Sequence, residues 1–297
     1  MEYDGIPVIP WVGTDGWRGC VHGIPGSLVL LLPVDSFADL DPGFVALRQL
    51  GGFFVLRTLR STPGGGPEAA RTGELPTLAE SYKISASDDC RNSLTSRVDA
   101  VSSRLRTAEP RVAASIAHQG LAARLWSIAL GCAVRHGRLP DLDPALLRWD
   151  PGAAAPDDLW LTEVRAQPGG ADPAPLADTV VRTVVRGHLE PLGEALRDRY
   201  GLAPGLLWGN AGSALAGAAR ELDRWARAND RAEAAARTRA LTDALFTHPL
   251  LSETGTRAGL AFRRRSCCLY YRVPGGGACG DCCFTQPPRS SPRAASG

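Results

Sequence analysis

The chain has 297 residues, 44% of them hydrophobic and 22% charged, with a formal net charge of +2. That composition supports a sizeable buried core and excludes wholesale disorder, and the small net charge excludes a protein that binds nucleic acid through its whole surface. Basic charge is carried almost wholly by arginine, since Lys83 is the only lysine. The first residues carry no basic region ahead of a long apolar run. The most apolar stretch, Leu28–Pro33, falls far short of the roughly 20 residues of a spanning helix. Neither a secretory signal nor a transmembrane segment is expected, and the expected compartment is the cytosol.

The first 74 residues read as a mixed segment packed on a main domain. Ser27–Val34 and Phe53–Leu59 are apolar runs of strand length. Pro63–Pro67, with its glycine triplet, is a loop; it lacks the Gly-Lys-Ser/Thr of a phosphate loop. A helical main domain is expected over residues 75–258. Ser87 or Asp88 is placed to cap a helix through Leu94, Val98, Val101 and Leu105. Pro110 opens a long helix through Val112, Ile116, Leu121, Leu125, Ile128 and Leu130 that ends near Gly137, apolar over so wide an arc that it belongs at the centre. Trp126 and Cys132 fall in that core, and His118 reads as structural. The Pro-rich residues 138–175 form a connector with a strand at 158–164. Further helices follow over 176–189, from Pro191 to Tyr200, over 204–228 and over 231–247, with a break at Pro191 and another near Asn229–Asp230. His188 and His248 flank helix ends and read as cap or surface residues.

The last ordered piece is a β-like run from Gly259 to Val273, a Gly-rich loop, and a turn. Five of the eight cysteines lie here: Cys267, Cys268, Cys279, Cys282 and Cys283. The remainder, 285–297, reads as a disordered tail. The spacing is an adjacent pair, ten residues, then Cys-x-x-Cys. Thiolates grouped in this way, in a reducing compartment, serve a thiophilic metal centre. Neighbouring side chains on a strand point to opposite faces, so an adjacent pair reaches one metal ion awkwardly. A dinuclear cluster with separate ligand positions relaxes that constraint and is favoured over zinc; a tetrahedral zinc site and uncoordinated thiols or a disulfide remain open. Cys283 is one ligand too many. No Gly-x-Gly-x-x-Gly fingerprint follows a strand, so a bound nicotinamide is not expected.

The Cys-Cys-x10-Cys-x2-Cys pattern resembles the C-terminal signature of FhuF-like ferric-siderophore reductases. So do the Arg263–Arg264–Arg265 run, Cys-Cys-Leu-Tyr-Tyr, the Gly-rich loop before Cys279, and Leu207-Trp208-Gly209-Asn210 upstream. The resemblance covers about residues 75–284. It implies that Cys267, Cys268, Cys279 and Cys282 ligate one 2Fe-2S cluster. It also implies one-electron reduction of siderophore-bound Fe(III), with release of Fe(II) in the cytosol and electrons from a ferredoxin or flavoprotein reductase. Arg263, Arg264, Arg265, Tyr270 and Tyr271 are the candidate substrate surface, while Trp208 and Asn210 read as packing residues. The expected fold is mainly α (α+β): a helical domain, a few short strands, and a cluster-binding segment at 259–284. The competing readings are a non-catalytic protein with a structural four-cysteine zinc site and an iron–sulfur electron carrier or sensor.

Overall fold

The long apolar helix is the axis of the molecule. In the computed structural model, which describes residues 44, 46–58, 73–83, 92–155, 157–165, 167, 172–286 and 288, it runs from Pro110 to His136 (α3). Proline at its first position needs no donor, and Gly137 beyond its end takes the left-handed conformation (φ 66°) that closes a helix. Most of its residues are buried on all sides, including Trp126, Ile128 and Leu130. Short side chains, Ala113, Ala114, Ala122 and Ala129 among them, let neighbouring helices approach closely.

The principal neighbours are α2 (Ser93–Leu105) and α6 (Pro204–Ala228), with α1 (Leu78–Tyr82), α4 (Pro173–Val180), α5 (Glu190–Tyr200), α7 (Ala232–Leu245) and α8 (Pro249–Ser252) completing the helical part. Helix α2 starts later than the sequence suggests. Ser87 and Asp88 lie outside the described residues, and the cap is Asn92, whose side chain accepts from the Leu94 amide at 2.8 Å. Pro191 does not break the chain as expected. Residues Val181–Leu189 form a π-helical stretch that runs straight into α5, with Pro191 in its first turn, where a missing donor is tolerated. His188, expected at the surface or as a cap, is fully buried instead. Its ring bridges the Leu142 carbonyl at 2.6 Å and the Tyr82 hydroxyl at 2.9 Å. Burial lowers its pKa to about 4. His248 does cap α8, accepting from the Leu250 amide.

Two small sheets complete the described residues. In the first, β3 (Leu159–Leu161) lies between β1 (Arg57–Thr58), parallel to it, and β2 (Leu147–Trp149), antiparallel, with Trp149 opposite Leu159. The strand expected at 53–59 is thus reduced to two residues behind a 3-10 turn at Gly52–Phe54. Leu47, Leu50 and Phe54 pack on α3 against Gly131, where a Cβ would meet the Phe54 ring at 3.0 Å and Leu47 at 3.1 Å. The buried Arg124 pins this junction. It pairs with Asp158 at 2.9 Å and donates to the carbonyls of Gly52, Phe53 and Val55. The apolar run at 27–34, the loop at 63–67 and most of the expected tail lie outside the described residues. The second sheet is a hairpin of β4 (Gly255–Ala258) and β5 (Ala261–Arg264), turned at Gly259 (φ 59°). It lies on α6 because Gly212 has no Cβ; one would overlap Thr254 and press on Phe262.

Candidate metal centre

Strand β5 delivers the cysteine segment. Its side chains alternate, so Phe262 and Arg264 point inward while Arg263 and Arg265 face solvent. Arg264 is 2% exposed, which removes it from the expected substrate surface. A buried guanidinium must find acceptors. Arg264 donates to the Asn210 side-chain oxygen at 2.6 Å, the Ser266 carbonyl at 2.9 Å and, more loosely, the Leu206 carbonyl at 3.4 Å. Asn210 in turn donates to the Ser115 carbonyl on α3 at 2.9 Å. The residue before it, Gly209, leaves the space that Ser266 occupies; a Cβ there would overlap the serine hydroxyl and crowd Arg264. The Trp-Gly-Asn motif therefore docks the cysteine segment onto α6.

Past Arg264 the chain leaves the sheet. Cys267 and Cys268 are not on a strand, contrary to the geometry assumed from the sequence, and Leu269 takes a left-handed conformation (φ 68°) ahead of a 3-10 turn at Tyr270–Arg272. The bend, not strand alternation, is what separates the adjacent thiols: Cys268 is buried and Cys267 half-buried. The Ser115 hydroxyl holds the Cys268 carbonyl at 2.8 Å, and the Leu269 amide donates to Cys267 Sγ at 3.2 Å. The Gly-rich loop returns the chain; a Cβ on Gly276 would strike the Tyr270 carbonyl. A turn closed by the Cys282 amide on the Cys279 carbonyl (3.0 Å) presents the second half of the pattern. Asp281, inside this turn, is buried and locks it to α6 through Ser213 at 2.6 Å and Arg220 at 3.1 Å. The Arg264 amide donates to the Asp281 carbonyl at 3.0 Å, joining the two halves directly.

Interaction with the Cys279 side chain, aided by Arg264, pushes the Cys268 thiol down to about 6, and the same interaction pushes Cys279 up. Burial raises Cys267 to about 11, and Cys283 is also raised by burial. All five thiols lie close enough to influence one another. Among the described residues no three His, Cys, Asp or Glu side chains are arranged to hold a single metal ion.

Two family models match this chain. One, the FhuF 2Fe-2S C-terminal domain, covers residues 264–284; the other, described as ferric iron reductase FhuF-like transporter, covers residues 121–259. The chain belongs to the FhuF-like ferric iron reductase family. No curated protein matches it. The match at residues 264–284 indicates a 2Fe-2S cluster and sets aside the zinc reading.

The residues of this FhuF-like site fit such a cluster. The donors available are soft thiolates. Beside them Arg264 leaves Nη1 buried without a hydrogen-bond partner, and the Ser266 hydroxyl is buried and unpartnered too. Four thiolates on two ferric irons with two sulfides carry net negative charge, which an unpaired guanidinium offsets. Tyr271 packs edge-on against Phe284, ring centroids 5.8 Å apart, and Tyr270 faces the other way, onto α3. Arg265 pairs with Glu253, and Arg263 reaches the Cys283 carbonyl at 3.2 Å. His118 is buried, its Nδ1 without a hydrogen-bond partner, and burial together with Arg264 lowers its pKa to about 3. The sequence reading missed Ser115, Asp281 and Arg220. Only the alternation around Phe262 carried a readable signal, since it places Arg264 inward.

Among the described residues no helix is long and apolar enough to cross a membrane.

Proposed function

We propose that this chain is a ferric-siderophore reductase whose 2Fe-2S cluster is held by Cys267, Cys268, Cys279 and Cys282. When bound, the cluster supplies a one-electron carrier between a reduced donor protein and the ferric chelate. The electron comes from a cytosolic ferredoxin or flavoprotein reductase. One electron converts siderophore-bound Fe(III) to Fe(II), which the siderophore's hard oxygen ligands hold less tightly, so iron leaves in the cytosol.

The observation that carries this reading is the unpaired Arg264 Nη1 buried beside the thiols of a matched 2Fe-2S domain. A positive charge there favours the more negative, reduced state. The Leu269 amide acts the same way through Cys267 Sγ. Cys267 and Cys282 are only half-buried, so the site lies near the surface, where a bulky chelate has access. Cys283 is outside the ligand set, with its carbonyl tied to Arg263.

The test is single-turnover reoxidation. Photoreduced protein mixed anaerobically with a ferric siderophore loses its reduced-cluster signal while a ferrous chelator traps one iron per electron. Equal rates of ferrous iron production by the parent and by Cys279→Ser would exclude the cluster as the donor.

A further inference from the structure

A groove opens beside the thiol loop, between α2, α3 and the connector residues Ala154, Ala155 and Asp158, with about 820 Å³ of space counting its open mouth. Its apolar wall is Phe53, Val101, Ile116 and Tyr270. Resting on the reductase reading above, we propose that this groove is where the ferric chelate docks, and that it takes chelates with an apolar periphery and no net positive charge.

Position is the first argument. Tyr270 is two residues from Cys268, so their Cα atoms are at most about 7 Å apart. Ser115 holds the Cys268 carbonyl, and the next residue, Ile116, lines the groove. One turn of α3 thus serves both the thiol loop and the groove.

Charge is the second. Three guanidinium groups, Arg97, Arg104 and Arg124, line the groove against the one carboxylate of Asp158. Arg124 and Arg97 both bind that carboxylate, at 2.9 and 3.5 Å, and are held deep, while Arg104 is exposed at the side. The excess is positive, which repels a cationic chelate and accepts a neutral or anionic one.

Gly120 is the third. It sits in the middle of α3, where glycine costs about 1 kcal/mol relative to alanine. At Gly131, on the same helix, Phe54 and Leu47 leave no room for a Cβ. At Gly120 a Cβ would meet nothing within 4 Å, and the residue lines the groove. Packing makes no demand for glycine there; a flat groove floor does.

The experiment titrates cluster-loaded full-length protein by calorimetry with redox-inert gallium(III) complexes of two trihydroxamates, one neutral and one bearing a free amine. The parent is expected to bind the neutral complex about tenfold more tightly than the cationic one. Gly120→Leu, which fills the floor, is expected to weaken neutral-chelate binding by at least about tenfold with an unchanged visible spectrum and midpoint potential. Arg104→Glu is expected to remove the discrimination between the two complexes. If both variants bind as the parent does, the groove is not the site and the reductase reading stands. If the parent binds neither complex, or binds both equally, the proposed selectivity fails, and the single-turnover assay tests the reductase reading separately.

Discussion

Arg124 and Arg264 are buried to nearly the same depth, at 1% and 2% exposure, yet the protein completes them differently. Arg124, in the middle of the long helix, has a carboxylate partner in Asp158 and three backbone carbonyls. Arg264, at the root of the cysteine segment, has neutral acceptors and one nitrogen with no partner, and among the described residues no carboxylate pairs with it. Isolated buried charge is strongly unfavourable, so this arginine calls for negative charge at the neighbouring thiols, which the lowered Cys268 thiol and, when bound, a cluster supply. The first region is neutralised by a carboxylate; the second is neutralised at the thiol site.

The largest expected effect breaks the first region. Asp158→Ala leaves Arg124 and Arg97 without their shared carboxylate and is expected to cost about 3–5 kcal/mol in denaturant unfolding, as loss of one partner of a buried pair does. The protein that remains folded should keep its visible spectrum, because the bonds of Arg124 go to Asp158, Gly52, Phe53 and Val55 and not to the cysteine segment.

The second region should answer through its potential. Arg264→Met strands no carboxylate, so its stability loss should be smaller, about 1–3 kcal/mol for the unsatisfied Asn210 and Ser266 acceptors. Its midpoint potential should fall by on the order of 60 mV, a tenfold step for one electron, because a positive charge that favours the reduced state is gone. Redox titration followed by paramagnetic resonance measures this. An unchanged potential would mean that Arg264 only anchors the segment. Asn210→Ala tests the anchor alone. It should destabilise by about 1–2 kcal/mol and shift the potential less than Arg264→Met does.

These two regions were not equally legible in the sequence. The long helix announces itself through Pro110, Gly137 and its broad apolar arc, and the Cys-Cys-x10-Cys-x2-Cys spacing marks the metal segment. Arg124 was not legible because nothing local distinguishes it from an arginine on a solvated face; its partners lie 34 residues downstream and about 70 upstream. Arg264 was hidden inside a run of three arginines that reads as a basic surface, although β alternation from Phe262 already turns the middle one inward. The bend at Leu269 was not legible either, since a leucine with positive φ is a tertiary outcome that propensity does not encode. The groove draws on residues from 53 to 270, and no window of the sequence contains it.

A pH series probes the buried histidines. His188 and His118 are buried neutral, with pKa values lowered to about 4 and about 3. The unfolded chain binds protons at these histidines near the ordinary value of about 6.5 while the folded chain does not, so stability rises with pH between the two values. Stability should therefore be fully present above about pH 6.5 and fall on acidification, with a limiting slope of about 1.4 kcal/mol per pH unit for each histidine. Urea unfolding at pH 7, 6 and 5 measures the slope, and His188→Phe should flatten it. The smallest expected effect is that of Cys283→Ser, which should leave iron and sulfide content unchanged.

The most direct test of the central claim is the paramagnetic resonance spectrum of the dithionite-reduced chain, taken with iron and acid-labile sulfide analysis. A 2Fe-2S cluster held by these cysteines gives an S = ½ signal and iron and sulfide in equal amounts, lost together in Cys279→Ser. A colourless, silent protein holding one stoichiometric zinc would contradict it.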